Sequence, residues 1–362
     1  MNSDHRLSTL RRRLAEEEIP AVVVTDIPNV IYLTGFDDVF DAMANAALLV
    51  TSEVARVYTD SRYETSVAAA AEGTSWALRV PKDAMYIALC EDVVAQGIDV
   101  IMLESSVPYG RFRFISEKFG GNVRVVDQLV EGLRQVKESR EIVRIREAAA
   151  VTDRAFDHIL DFITPGMTEA SVGLELEVFM RTNGGHGIAF DPIVASGPNS
   201  AMPHAGVSDR RIEIGDFVKL DFGARYEGYC SDMTRTVVMG SASDRQREIH
   251  GAVLAANLAG IEACRAGRTG ADIHETARAV LAEAGFGEYF GHGLGHGVGL
   301  EIHEQPSLSP RGRNAVPAGS VATIEPGVYI PGFGGVRIED LVVVEDGGCT
   351  LLSHSPKELI EL

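Results

Sequence analysis

Three histidines stand among glycines in one segment of the C-terminal third of the chain, GHGLGHGVGLEIHEQP at residues 291–306. They are His292, His296 and His303. A neutral imidazole is a common metal ligand, and glycines let a backbone pass close to a charged cluster without Cβ obstruction. The same composition is also typical of a loop that needs glycines for its turns. The segment alone leaves both interpretations open, so further ligands must come from elsewhere in the chain.

A first pair of carboxylates flanks a predicted turn in KLDFGARYEGYCSDMTRT, residues 219–236. Asp221 and Asp232 are equidistant from the centre of the turn region at 225–228. In a regular hairpin they would lie directly opposite each other, which destabilises a pair of like charges unless a cation or a proton compensates. Gly228 could introduce a bulge that shifts this register.

A second pair repeats the arrangement in TIEPGVYIPGFGGVRIED, residues 323–340. Glu325 and Glu339 are equidistant from Gly332, which lies in an evident turn. Arg337 is two residues before Glu339 and is expected on the same strand face. Two acids are therefore predicted to face each other again.

Four carboxylates and one imidazole are a ligand set for two divalent ions, and the segment GHGLGHGVG lies between the two hairpins along the chain. Oxygen-rich donors favour Mn²⁺, and mixed oxygen and nitrogen sets also accept Co²⁺ and Zn²⁺. A purely structural alternative is that the acids pair with basic side chains. These are Lys219, Arg235 and Arg337.

The composition is that of an ordinary globular protein, with 362 residues, 45% hydrophobic and 23% charged. A net charge of −19 argues against nucleic acid or an anionic membrane surface as the main partner. The four cysteines are scattered, residues 1–20 do not resemble a signal peptide, and no apolar run approaches a membrane span of ~20 residues. A cytoplasmic location is therefore predicted.

Two domains are expected from the order of the patterns. Strands that alternate with helices predict an α/β domain at residues 1–127, followed by a helical connection at 128–139 and a second domain at 140–362. The phrases ITPGMTEASVGLELEVFM and CRAGRTGADIHETARAVL resemble each other, which indicates an internal repeat of two helix-helix-strand units. Helices of the second domain are predicted at 140–163, 171–183, 244–265 and 270–284.

With these motifs in place, the chain resembles the proline-specific metallopeptidases, Xaa-Pro dipeptidase (prolidase) and aminopeptidase P. The matching stretches are SGPNSAMPHA, LDFGARYEGYCSDMTRT, GHGLGHGVGLEIHEQP, TIEPGVY and VRIED, with weaker matches at PNVIYLTGF and YTDSRY. The resemblance implies an α/β (α+β) chain, with a creatinase-like N-terminal domain and a pita-bread catalytic domain. It also implies a homodimer.

The resemblance assigns roles to the motif residues. It implies that two ions are ligated by Asp221, Asp232, His296, Glu325 and Glu339, of which Asp232 and Glu339 bridge the ions. It also implies that His204 contacts the scissile-bond region and that His303 stabilises the tetrahedral intermediate. Arg337 is expected to support the metal ligands, and His292 is expected to lie in the substrate pocket. Glu325 is also expected to carry a proton. His204 and His303 as core histidines with satisfied hydrogen bonds are the alternative.

The substrate implied is a peptide or dipeptide with proline at its second position. Dipeptidase members often carry a basic residue after the H-E-x-P phrase, whereas here Ser307 and Leu308 follow it. Aminopeptidase P activity is therefore the main prediction and strict dipeptidase activity the alternative. A pita-bread module that only binds protein or peptide is a more remote alternative. The intact ligand set argues against that module and against metal-free creatinase chemistry, and the first domain argues against methionine aminopeptidase.

The first domain of such proteins usually caps the active site of a neighbouring subunit. The resemblance therefore makes Asp60, Arg62 and Tyr63 candidate substrate contacts. The alternative for the phrase TDSRY is a strand-to-helix cap in which Asp60 or Ser61 supplies the capping side chain.

Overall fold

The computed structural model describes residues 3–41 and 43–362, and its contacts divide into two units, Met1–Arg134 and Gln135–Leu362. The predicted connection at 128–139 spans the boundary between unit 1 and unit 2. Among the described residues, no helix has both the length and the apolar character needed to cross a membrane.

Unit 1 is built on one mixed sheet whose central strands are short apolar runs. Its strands are β1 (Ala21–Val24), β2 (Ala46–Thr51), β3 (Ala55–Thr59), β4 (Ala77–Arg79), β5 (Val100–Glu104) and β6 (Asn122–Val126). Its helices are α1 (Ser3–Glu16), α2 (Ile27–Thr34), α3 (Glu64–Ala71), α4 (Met85–Ala95), α5 (Tyr109–Phe119) and α6 (Glu131–Arg134). The sheet order is β4-β3-β2-β1-β5-β6, and every residue of β1 and β2 is buried, as expected for runs rich in valine and leucine.

The phrase PNVIYLTGF has a structural task in this unit. Asn29 is fully buried at the start of α2 and donates from Nδ2 to Glu104 Oε1 at 2.7 Å and to Glu131 Oε1 at 2.8 Å. Its Oδ1 accepts from Arg134 at 2.8 Å. The asparagine therefore ties α2 to the end of β5 and to α6, which satisfies buried charges that would otherwise be costly.

The helices of unit 2 begin and end close to their predicted positions. They are α7 (Ser139–Phe162), α8 (Glu169–Thr182), α9 (Asp244–Ala263) and α10 (Gly270–Glu283). Thr168, Ser243 and Thr269 are N-caps whose side chains accept from a backbone N–H in the first turn. Helix starts were therefore readable from local chemistry.

The predicted internal repeat is present. Thr168 and Thr269 each cap the second helix of a pair and each form an isolated antiparallel bridge. Two residues before each cap, Gly166 and Gly267 adopt positive φ, 92° and 84°. The bridge partners are Arg211 and Ala315. The same sequence of turn, cap and helix is thus used twice.

The strands of unit 2 form several antiparallel ladders. They are β7 (Gly187–Ile188), β8 (Ile193–Ser196), β9 (Phe217–Phe222), β10 (Ala224–Tyr226), β11 (Tyr229–Cys230), β12 (Met233–Val238), β13 (Gly295–Gly297), β14 (Glu304–Leu308), β15 (Val321–Ile324), β16 (Gly327–Ile330), β17 (Gly334–Arg337), β18 (Asp340–Val344) and β19 (Cys349–Leu351). The ladder orders are β12-β9-β8, β11-β10-β7, β14-β13-β15-β18-β19 and β16-β17. Two apolar clusters lie beneath them, one against α9 and α10 and the other against α7 and α8.

The first hairpin corrects the predicted register. Asp221 pairs with Thr234, so the expectation that Asp221 and Asp232 are directly opposed is wrong, and Asp232 lies one diagonal step away just before β12. The turn is Glu227–Gly228, with φ of 43° and 84°, as in a two-residue type I′ turn. Its centre is one residue later than predicted, and this displaces the partner of Asp221 by two positions.

The second hairpin has the predicted register. Gly327 pairs with Arg337, and Ile324 pairs with Asp340, so the ladder on both sides of Glu325 and Glu339 is centred on Gly332. The main-chain N–H groups of the two glutamates do not bond to each other's strand in this ladder. The N–H of Glu325 donates to Leu294 O at 2.8 Å, and that of Glu339 donates to Thr234 O at 3.1 Å.

The glycines of the histidine segment lie against neighbouring backbone. A Cβ on Gly295 would clash with the carbonyl of Thr323, and one on Gly297 would clash with the carbonyl of Gln305. A Cβ on Gly291 would meet no atom within 4 Å. The predicted reason for the glycines, passage beside a charged cluster, is therefore wrong for Gly295 and Gly297, which permit β13 to approach β15 and β14.

This difference predicts opposite outcomes for one substitution within one segment. We expect Gly295→Ala to lower the free energy of unfolding by about 1–3 kcal/mol or more, because the clash is with a main-chain atom. Gly291→Ala is the matched control and is expected to change it by less than about 1 kcal/mol. Denaturant unfolding of both variants measures this, and equal stabilities would contradict the packing argument.

Candidate metal centre

A cavity of about 490 Å³ in unit 2 collects the predicted site residues. Its lining residues are Phe190, Ile193, Pro203, His204, Asp221, Asp232, His292, Gly293, Gly295, His296, Ile302, His303, Ser307, Ser309, Glu325, Arg337 and Glu339. Every predicted ligand is among them, as are the three further histidines and the arginine of the motifs. Strands from both hairpins and the histidine segment thus meet at one place.

Three of the donors, Asp232, His296 and Glu339, have ligand atoms that all lie within 4.8 Å of one another. His296 Nε2 is 3.6 Å from Asp232 Oδ2 and 3.4 Å from Glu325 Oε1. Asp221 lies on β9 beside this group and is paired with the Nη2 of Arg337. Four carboxylates and one imidazole therefore share the cavity.

The ring of His296 is oriented for ligation. Its Nδ1 is 3.1 Å from the carbonyl oxygen of Gly297, which can only accept a hydrogen bond and so places the hydrogen on Nδ1. The lone pair of Nε2 then points towards the carboxylates, the arrangement that metal-binding histidines use. Burial lowers the pKa of His296, which favours this neutral form.

Two threonines hold the carboxylates in place. Thr234 Oγ1 accepts from Arg337 Nε at 2.9 Å and donates to Glu339 Oε2 at 2.7 Å. Thr323 Oγ1 donates to Glu325 Oε1 at 3.1 Å and accepts from the N–H of His296 at 3.1 Å. Each threonine thereby links one carboxylate to another site residue.

The carboxylates repel one another in a space with little water. Burial, followed by the charge of Glu339, raises the pKa of Asp232 well above its usual range. Burial and the charge of Glu325 do the same for the pKa of Glu339. Burial raises the pKa of Glu325 to about 7. Burial is the largest cause of each shift, and neighbouring carboxylates add to it.

Nearby basic side chains do not compensate this charge. Arg337 is the one lysine or arginine among the described residues that line the cavity, and it is paired with Asp221. Arg235 binds Asp340 Oδ1 at 2.9 Å, and Lys219 binds the carbonyl of Met202 at 2.6 Å. The structural alternative, in which basic side chains neutralise the acids, therefore holds for Asp221 only. Clustered carboxylate oxygens with one oriented imidazole fit hard or borderline divalent cations.

The three other histidines occupy different parts of the cavity. His204 and His303 have exposed side chains in the lining, and the rings of His303 and His296 are 4.3 Å apart. The alternative of His204 and His303 as buried core residues is therefore wrong. His292 bonds the Gly293 carbonyl through Nδ1 at 2.7 Å and Tyr329 Oη through Nε2 at 2.9 Å. Burial lowers the pKa of His292 to about 4. Both its ring nitrogens are used within the protein.

The candidate substrate contacts of the first domain lie in unit 1. Asp60 forms a two-point ion pair with Arg62, with distances of 3.0 and 2.9 Å, and Tyr63 Oη donates to Asp41 at 2.9 Å. The N-cap of α3 is Tyr63, with no side-chain cap. Neither Asp60 nor Ser61 is thus the N-cap residue of α3, although Asp60 Oδ1 accepts from the backbone N–H of Arg62 at 3.0 Å in the turn before this helix.

Sequence reasoning missed several residues that support the site: Thr234, Thr323 and Tyr329, and also the role of Lys219. Strand alternation places Thr234 two residues from Asp232, and Thr323 and Lys219 two residues before Glu325 and Asp221. This two-residue spacing was a signal from which Thr234, Thr323 and Lys219 could have been identified. The hydrogen bond from Arg337 to Tyr329 Oη, at 2.8 Å, crosses a hairpin and has no comparable signal.

Metal-free protein should lose stability as the carboxylates ionise. The pKa values of Asp232, Glu325 and Glu339 in the folded state lie above their ordinary values, and that of Glu325 is raised from 4.5 to about 7. The folded state therefore binds more protons at Glu325 between about pH 4.5 and 7. The contribution of this group is complete below about pH 4.5 and is lost as the pH rises through about 7. A bound cation requires the ionised ligands and reverses the trend.

We therefore expect the increase in Tm on replacing EDTA with Mn²⁺ to grow between pH 6 and pH 8. Thermal unfolding in matched buffers measures it, with Asp209→Asn, at an exposed aspartate, as the control that keeps the wild-type trend. An increase that is the same at both pH values would contradict the assignment of these carboxylates as an uncompensated cluster.

Comparison with known proteins shows the family to which the chain belongs. Residues 143–346 match metallopeptidase family M24, and residues 6–136 match the creatinase/prolidase N-terminal domain. The chain is 39% identical over 348 residues to an Xaa-Pro dipeptidase of Pyrococcus horikoshii, covering 95% of each.

Two solved structures have the same fold over the whole length. An Xaa-Pro dipeptidase from Bacillus anthracis is 40% identical, with a TM-score of 0.94 and full coverage of both chains. An X-Pro aminopeptidase from Thermotoga maritima is 37% identical, with a TM-score of 0.87 and coverage of 99% of this chain and 100% of that one. The predicted fold class, a creatinase-like α/β domain followed by a pita-bread domain, is confirmed.

Proposed function

The chain belongs to metallopeptidase family M24, and from this premise we propose that it is an Xaa-Pro dipeptidase. The reaction is hydrolysis of the bond between an N-terminal residue and proline in a dipeptide. The observation that carries the proposal is the group of four carboxylates around one oriented imidazole in a cavity of the size that suits a small ligand. Excess negative charge at that group provides a reason for divalent cations to bind there.

The dipeptidase is preferred over the aminopeptidase P activity that the sequence favoured. The relative from P. horikoshii and the structure from B. anthracis are both named Xaa-Pro dipeptidases. Of the two residues that argued for aminopeptidase P, Ser307 lines the cavity, whereas Leu308 is fully buried and unavailable to a substrate. Because an X-Pro aminopeptidase from T. maritima is also similar to this chain, hydrolysis of longer peptides is the second candidate function.

The residues that would hold two divalent ions are the carboxylates and the imidazole of the cavity. They are Asp221, Asp232, His296, Glu325 and Glu339, with Asp232 and Glu339 shared between the ions. Mn²⁺ is the preferred ion, and Co²⁺ or Zn²⁺ are alternatives. When bound, such ions lower the pKa of a coordinated water and polarise the substrate carbonyl.

The protein's own side chains then move the proton and bind the developing charge. Glu325 takes a proton from the attacking water and gives it to the proline nitrogen, which must be protonated to leave as a secondary amine. His303 and His204, on the cavity wall, donate hydrogen bonds to the oxyanion. Arg337 fixes Asp221, and through Thr234 it also fixes Glu339. His292 shapes the pocket with its ring rather than with its nitrogens.

Three further assignments belong to the proposal. Asp60, Arg62 and Tyr63 remain candidate substrate contacts, and their support is the exposed two-point ion pair of Asp60 with Arg62. The homodimer follows from the resemblance that makes them contacts. A cytoplasmic location is also proposed, because none of the described cysteines forms a disulfide, as is usual in a reducing compartment.

Loss of a proposed ligand should remove metal and activity together. We expect Asp232→Asn and His296→Ala to lower kcat at least about 100-fold and to reduce the bound metal, with the fold retained. Elemental analysis and circular dichroism measure this. Asp209→Asn and His354→Ala, both at exposed positions, are the matched controls. Full activity in either ligand variant would refute the metal assignment.

Substrate length separates the candidate functions. With Mn²⁺, Co²⁺ and Zn²⁺ in turn, we expect Ala-Pro to be hydrolysed with a higher kcat/KM than Ala-Pro-Ala. The reverse preference would favour aminopeptidase P. Release of no product with any metal, together with binding of a peptide, would favour the non-catalytic module.

A further inference from the structure

The loop that carries His204 has few hydrogen bonds of its own. It follows the 3-10 turn Gly197–Ala201, and Met202 N–H still donates to Asn199 O at 3.0 Å. Beyond that point the N–H of Ala205 donates to Met202 O at 3.4 Å, which is long for such a hydrogen bond. The carbonyls of Met202 and Pro203, directly before His204, are bound by side chains from other elements.

Lys219 binds both carbonyls. This lysine is fully buried on β9, and its Nζ donates to Met202 O at 2.6 Å and to Pro203 O at 3.2 Å. Its Nζ also lies 5.3 Å from the centroid of the Tyr329 ring, which is within the range of a cation–π contact. Arg337 Nη1 donates to the same Pro203 carbonyl at 3.1 Å.

We propose that Lys219 is a positioning residue for His204, which fixes the loop by binding the two carbonyls before it. The inference rests on the proposed function, in which His204 donates to the reacting group. A displacement of about 1 Å in such a donor can lower the rate about 100-fold, so the benefit of a rigid loop can offset the cost of burying the Lys219 amine.

The arrangement favours this role over charge pairing. Lys219 Nζ binds main-chain oxygens rather than a carboxylate, although Asp221 is only two residues away on the same strand. Burial lowers the pKa of Lys219 to about 7. An amine keeps N–H donors in both protonation states, so the bond to Met202 O survives either way.

A double-mutant cycle tests the inference in the metal-loaded protein with Ala-Pro as substrate. We expect Lys219→Met to lower kcat about 10- to 100-fold, with KM within threefold and metal content unchanged. In a His204→Ala background the same substitution should lower kcat less than twofold, because the residue that it positions is gone. Hydrogen exchange should become faster in residues 200–206 and stay unchanged in Met233–Val238.

The outcomes distinguish two kinds of failure. If His204→Ala alone leaves kcat unchanged, the proposed function of His204 fails. If His204→Ala lowers kcat but Lys219→Met lowers it equally in both backgrounds, or leaves exchange in the loop unchanged, the positioning role is overturned. Should Lys219→Met fail to fold, Lys219→Arg takes its place. It displaces the donor but keeps the charge, and it should lower kcat only when His204 is present.

Discussion

Mutual repulsion between carboxylates is the constraint on which the site depends. Asp221, Asp232 and Glu339 are each at most 6% exposed, and Glu325 lies beside them. Water is largely excluded from them, so their charges are poorly screened, and a cation must enter or protons must bind. The raised pKa values of Asp232 and Glu339 describe the second state, and a divalent ion would bring about the first. The surrounding strands hold the acids together against this repulsion.

The strands achieve this by joining two hairpins through their main chains. Where Glu325 and Glu339 face each other, neither N–H is used in the ladder between them. The N–H of Glu339 donates instead to Thr234 O of the first hairpin, and that of Glu325 donates to Leu294 O within the histidine segment. One irregular point in a ladder thus brings together the elements that carry the acids and the imidazole.

The sequence allowed much of this to be predicted, for identifiable reasons. The register around Gly332 followed from symmetric turn chemistry, and the helix starts followed from capping residues such as Thr168. The register at Asp221 was missed because Glu227 takes a positive φ, a conformation supported by its ion pair with Arg144 at 2.7 Å. That pair joins residues 83 positions apart in the chain. Distant contacts of this kind leave no local pattern, which also explains why the bond of Arg337 to Tyr329 Oη was not foreseen.

The basic residues near the acids show how the excess charge is preserved. Lys219 is two residues from Asp221, and Arg235 is three residues from Asp232, close enough in sequence to suggest neutralising pairs. Yet Lys219 binds the Met202 and Pro203 carbonyls, and Arg235 binds Asp340 and the Ser355 carbonyl. These two side chains therefore brace the loops and strands around the cavity and do not pair with the acids inside it. If the acids had only a structural role, basic side chains that pointed into the cavity would stabilise them. A site for divalent ions is instead favoured when those basic side chains bind other groups outside the cavity.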